Sequence, residues 1–88
     1  MSGRSLKLLA RLVACPRDYE WRELTTLMAA LGFEESSGKS SSVKFRHSEN
    51  PSFVVHLHRP HGRNPPTIPV VYLRQIVSRF KEWGFLDE

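Results

Sequence analysis

Three histidines, His56, His58 and His61, fall within one short stretch. Imidazole is the side chain whose ordinary pKa lies near neutral pH, so it can both take and give a proton in acid–base catalysis. Three imidazoles and a water can also form an open zinc site. The single cysteine, Cys15, is remote in sequence and the nearest carboxylate is Glu49, so the spacing argues for no metal and no other cofactor. Against catalysis stands a plainer reading. His58 and His61 can order the Arg59–Pro60 turn by hydrogen bonds, with His56 a solvent-facing strand residue. Lys39, Lys44, Arg46, Arg59 and Arg63 surround these histidines, opposed only by Glu49. A local positive field of this kind favours a polyanion, RNA or DNA, or an acidic protein. Ser40, Ser41 and Ser42 lie among the cations; a hydroxyl there can hydrogen-bond a phosphate, or act as a nucleophile beside a base.

Side-chain periodicity indicates which elements carry these residues. Ser42–His47 alternates, with Val43, Phe45 and His47 on one side and Ser42, Lys44 and Arg46 on the other. Phe53–His58 alternates likewise, Phe53, Val55 and Leu57 against Val54, His56 and His58. Period-two alternation predicts half-buried strands, and Ser48–Pro51 between them reads as a turn. Phe33–Glu35 is a candidate brief strand, followed by a polar loop over 36–41. Residues 59–67, with three prolines, form a loop. Strands joined by tight turns pair antiparallel, and helices then cover their apolar side. The opposite side presents Ser42, Lys44, Arg46, Val54, His56 and His58 together.

The helices follow from period 3.6. Ser5 is a candidate cap for a first helix running to about Ala14, its inward stripe predicted as Leu6, Leu9, Ala10 and Val13, stopped by Pro16. A second starts near Glu20 or Trp21, with Trp21, Leu24, Leu27, Met28 and Leu31 on one stripe. Glu20 and Glu23 occupy its favourable first turn, and Gly32 ends it. A last helix is predicted from Ile68, capped by Thr67 with Pro69 in its first turn. Leu73, Ile76, Val77 and Phe80 are its buried side, and Gly84 stops it. Trp21, Phe33, Phe45, Phe53, Phe80 and Trp83 fall on these stripes or at helix ends and read as core rather than as base-stacking platforms.

A chain of 88 residues with 40% hydrophobic and 10% aromatic content is expected to fold as a single domain spanning residues 1–88, residues 1–16 adding a helix to a core over 17–84. Thirteen Lys and Arg against nine Asp and Glu give a net charge of +4. No apolar run reaches membrane-spanning length, and Arg11 interrupts the only candidate leader segment. A cytoplasmic protein without membrane association is expected. Cys15 has no internal disulfide partner and reads as a small residue near a helix end. The expected class is α+β: a three-stranded antiparallel sheet, two helices on one face, plus the extra N-terminal helix.

Several segments together resemble one family: Tyr19-Glu20-Trp21-Arg22-Glu23-Leu24, Leu31-Gly32-Phe33, Gly38 to Phe45, Leu57-His58-Arg59-Pro60-His61 and the last amphipathic helix. Their order and spacing over roughly residues 17–84 are similar to the HicA toxins of toxin–antitoxin systems. The resemblance implies a fold like a double-stranded-RNA-binding domain, cleavage of mRNA, and neutralisation by a HicB-like antitoxin protein. It also implies a catalytic histidine at the start of the strand holding Val43 and Phe45, and Ser42 stands at that position. A hydroxyl does not titrate near neutral pH as imidazole does. The candidate catalytic set is therefore Ser42, His58 and His61, and the candidate RNA contacts are Lys39, Ser41, Lys44, Arg46, His56 and Arg59. Two readings follow: a ribonuclease, and a non-catalytic module binding RNA or protein on the same fold.

Overall fold

The computed structural model describes residues 3–62 and 64–87; Arg63, counted above among the cations, lies outside the described residues. Its elements run α1 (Gly3–Ala14), α2 (Trp21–Ala30), β1 (Phe33–Ser37), β2 (Ser42–His47), β3 (Val54–His58) and α3 (Val70–Glu82). The strands form one antiparallel sheet in the order β1-β2-β3. The expected α+β class holds, with its antiparallel sheet and additional N-terminal helix.

The core is continuous across all elements. Leu24, Leu27 and Met28 of α2 and Leu73, Ile76, Val77 and Phe80 of α3 bury against Val43, Phe45, Val55 and Leu57 of the sheet. These are the stripes expected from periodicity, because period 3.6 on a helix and period 2 on a strand each gather apolar side chains onto one face. Both helix ends placed at glycines use the left-handed conformation that glycine adopts without steric cost. Gly32 has φ of 96° and Gly84 of 85°. At the end of α3 the Phe85 N–H donates to the Phe80 carbonyl at 2.9 Å and the Gly84 N–H to that of Lys81 at 3.3 Å, the bonding pattern that closes a helix through a left-handed residue. At the start of α2, Glu23 Oε1 accepts the Glu20 N–H at 2.9 Å, satisfying a donor that the first turn leaves open.

Four expectations need correction. The first concerns α1, which begins at Gly3, so that Ser5 lies inside it and is buried rather than capping it. The inward face is Ser5, Leu8 and Leu12, while Leu6 and Val13 are 55% and 47% exposed. The helix is thus turned by roughly one residue, about 100°, from the orientation its longest apolar stripe suggests. Tertiary partners set that rotation. The Tyr19 hydroxyl donates to the Leu8 carbonyl at 2.8 Å. Arg11 pairs with Glu23 and, at 3.0 Å, with Asp18.

The second correction is the start of α3. Thr67 does not cap it; it bridges Glu20 in a strand-like contact. The Ile68 N–H donates to the Tyr19 carbonyl at 2.8 Å, and Ile68 is buried. The extended backbone that this bridge imposes on Thr67 and Ile68 delays the helix until after Pro69, which occupies the cap position. The strand ends also shift: β1 extends to Ser37, and β3 begins at Val54 rather than Phe53.

Candidate nucleic-acid interface

The sheet has one face under the helices and one open face. Register assembles the open face. Across β2 and β3, Ser42 is the partner of His58, Lys44 of His56, and Arg46 of Val54. Across β1 and β2, Ser36 is the partner of Lys44 and Glu34 of Arg46. Alternation puts all these side chains on the side opposite Val43, Phe45, Val55 and Leu57. His56, His58 and Arg46 are exposed, and Ser42 and Lys44 are half-buried. Lys44 and Arg46 make no ion pair among the described residues.

The Ser42–His58 pairing is close. The ladder bonds His47 N–H to the Phe53 carbonyl (3.0 Å) and Arg59 N–H to that of Ser41 (2.7 Å) assign the odd-numbered residues of β3 to the hydrogen-bonded positions. Ser42–His58 and Lys44–His56 are therefore non-hydrogen-bonded pairs, whose Cα atoms stand about 4.5 Å apart with side chains adjacent. The Ser42 and His58 side chains thus leave the sheet from neighbouring positions, with a second imidazole and an ammonium in the next cross-strand pair.

Other candidates from the sequence lie elsewhere. Lys39 is exposed in the β1–β2 turn, and its carbonyl accepts the Ser42 N–H at 3.3 Å. Ser41 is half-buried where β2 begins. Arg59 belongs to the helix-covered side: its guanidinium lies 5.8 Å from the centroid of the Trp21 ring and pairs with Glu35 at 3.5 Å. His61 is exposed in the following loop. It lines an open depression of about 490 Å³ with Arg17, Thr67, Ile68, Pro69 and Val70. Among the described residues no three His, Cys, Asp or Glu side chains are grouped to hold a metal ion.

Two features escaped the sequence reading. Glu34 and Ser36 join the open face through β1, a placement that follows only once the β1–β2 register is known. His47, the fourth histidine, is a buried structural group. Its Nε2–H donates to the Leu31 carbonyl at 2.9 Å, and its Nδ1 accepts the N–H of Glu49 at 3.1 Å and of Asn50 at 3.3 Å. Phe33 meets the ring edge-on at 5.1 Å between centroids, with Phe53 and Phe85 alongside. Both nitrogens are occupied, so His47 fastens the end of α2 to the β2–β3 turn and has no free site for chemistry. Its position on the inward side of the β2 alternation was the available signal.

Glu23 and Tyr19 carry perturbed pKa values set by their burial and by the Arg11–Glu23 pair between α1 and α2. Burial pushes the Glu23 carboxyl up, but the Glu20 N–H and the Arg11 guanidinium outweigh it, leaving the group below its ordinary value. Burial raises the Tyr19 phenol, and nearby Glu23 adds to that.

No described helix is long and apolar enough to cross a membrane. No curated protein and no solved structure gives a significant match to this chain. A family model described as the HicA toxin of bacterial toxin–antitoxin systems matches residues 21–84, which takes in α2, the whole sheet, α3 and the open face and leaves α1 outside. The chain belongs to the HicA toxin family.

Proposed function

We propose that the protein is an RNA-directed toxin whose open sheet face holds RNA and whose His58 carries the acid–base role that Ser42 cannot perform. The observation that carries this reading is the Ser42–His58 cross-strand pair beside Lys44 and His56. RNA can be cleaved by its own 2′-hydroxyl: the oxygen bonds the adjacent phosphorus, the bond to the 5′-oxygen breaks, and that oxygen takes up a proton. His58 removes the 2′-hydroxyl proton. His56 lies about 7 Å along the same strand face and, in its protonated form, donates to the departing 5′-oxygen. Lys44 and Arg46 neutralise the phosphates, with Lys39 and Ser41 extending the contacts along the strand, and the Ser42 hydroxyl donates to a phosphate oxygen. Arg59, tied to Glu35 and Trp21, supports this end of the sheet. His61, in the loop after β3, is the alternative to His56 as proton donor. The target is mRNA and the neutralising partner a HicB-like antitoxin, in a cytoplasmic setting.

The test is cleavage of single-stranded RNA by the folded protein without added metal. His58→Ala is expected to lower the rate by about a hundredfold or more, while His61→Ala has a smaller effect. Undiminished cleavage by His58→Ala refutes the assignment. Ser42 itself favours a second reading, a non-catalytic module that binds RNA or protein on the same face. A folded protein that binds RNA without turnover, and in which Ser42→His creates turnover, supports that alternative.

A further inference from the structure

β3 is an edge strand, and its outer edge is open. The ladder bonds at Phe53 and Arg59 turn the main chain of the odd-numbered residues toward β2. The N–H and C=O groups of Val54, His56 and His58 therefore point away from the sheet. No backbone hydrogen bond from another described segment reaches them. Beside this edge runs a groove of about 160 Å³, walled by Val54, His56 and Leu57 of β3 and by Gln75, Ile76 and Arg79 of α3. Leu57 and Ile76 at its base are themselves buried in the core. Its rim holds Arg79, whose side chain is 59% exposed and only loosely paired, at 3.8 Å, with Glu82.

We propose that this edge docks an extended protein segment by strand addition, with a carboxylate of that segment meeting Arg79. Donors and acceptors alternate along Val54–His58 at strand spacing, and another polypeptide strand satisfies both kinds. A phosphodiester chain offers mainly acceptors and would leave the outward carbonyls unmet. A second copy fits poorly. Antiparallel pairing of β3 with β3 brings the two Arg79 side chains toward one another. Pairing β3 with the β1 edge is head-to-tail and builds a ring or an open array, leaving Arg79 without a free carboxylate from that edge, since Glu35 is paired with Arg59. An acidic foreign strand satisfies the backbone and the cation together. It continues the sheet alongside His56 and His58. Interference with RNA would rest on the function proposed above; docking at the edge does not.

The probe is a short synthetic peptide of alternating valine and threonine with a central aspartate, titrated into the isotope-labelled full chain. Slowed amide exchange is expected at Val54, His56 and His58, with shifts at the Arg79 side chain and little change at Val55 and Leu57, whose N–H groups are already paired. Methylating alternate peptide nitrogens of the probe, or Arg79→Glu in the protein, is expected to weaken binding about tenfold or more. A probe with lysine in place of aspartate should recover affinity for Arg79→Glu. These variants leave β3 itself untouched, so folding does not confound the result. The proposal is overturned by failure of the aspartate probe to bind, by shifts confined to another surface, or by insensitivity to Arg79→Glu. Protection of the same three amides by polyuridylate, or by raising the protein concentration alone, overturns it in favour of RNA or a second copy.

Discussion

Replacing Lys44 and Arg46 together with alanine offers the most direct measure of whether the open face meets phosphate. Both side chains lie on that face, in successive non-hydrogen-bonded pairs of β2 and β3, and neither makes an ion pair among the described residues. Each is therefore free to displace one counterion from a bound single strand. The slope of log affinity against log salt should become shallower by about 0.7 per contact, about 1.4 for the pair. Raising salt from about 50 to about 200 mM then narrows the affinity gap between the parent and the double variant about sevenfold. Fluorescence anisotropy with labelled polyuridylate across that range measures both slopes. Lys81→Ala, a change to an exposed cation on α3, serves as the control and should leave the slope unaltered. Equal slopes for the parent and the double variant would refute the placement of RNA on this face, even if absolute affinities differed.

The remaining predictions concern how the scaffold is held. Leu12 is fully buried and Leu6 is 55% exposed, so Leu12→Ala should cost about 2–5 kcal/mol and Leu6→Ala no more than about 0.5 kcal/mol in urea unfolding. The opposite ranking would reverse the assigned rotation of α1. Gly32→Ala puts a side chain on a residue with φ of 96° and its Cβ 3.0 Å from His47 Nε2. A loss of about 1–3 kcal/mol is expected, with a shifted His47 imidazole resonance as the local signature. Glu23 is held below its ordinary carboxyl value of 4.5. Its contribution is therefore present above that value and disappears as pH falls through the lower folded value, where protonation breaks the Arg11 pair. Glu23→Gln should flatten this acid limb of the stability profile; an unchanged limb would mean that other carboxyls govern it.

Much of this molecule is written locally in the chain. The alternation of Ser42–His47 and Val54–His58 determines two strands and the face each side chain takes, because successive residues of a pleated strand point to opposite sides whatever lies around them. The α2 and α3 stripes and their terminating glycines are equally local. The resemblance of the 17–84 segments likewise led to the family that matches residues 21–84. Only the tertiary structure decided matters that depend on distant partners. Ser42 and His58 become neighbours through register, which hairpin pairing sets across the intervening turn. Arg59 leaves the cationic group because Trp21 and Glu35 hold it on the covered side. His47 is inert because Leu31, Glu49 and Asn50 occupy its nitrogens. In α1 two apolar stripes compete within one helix. Periodicity cannot rank them, since the choice rests on where Tyr19, Asp18 and Glu23 come to lie in the folded chain.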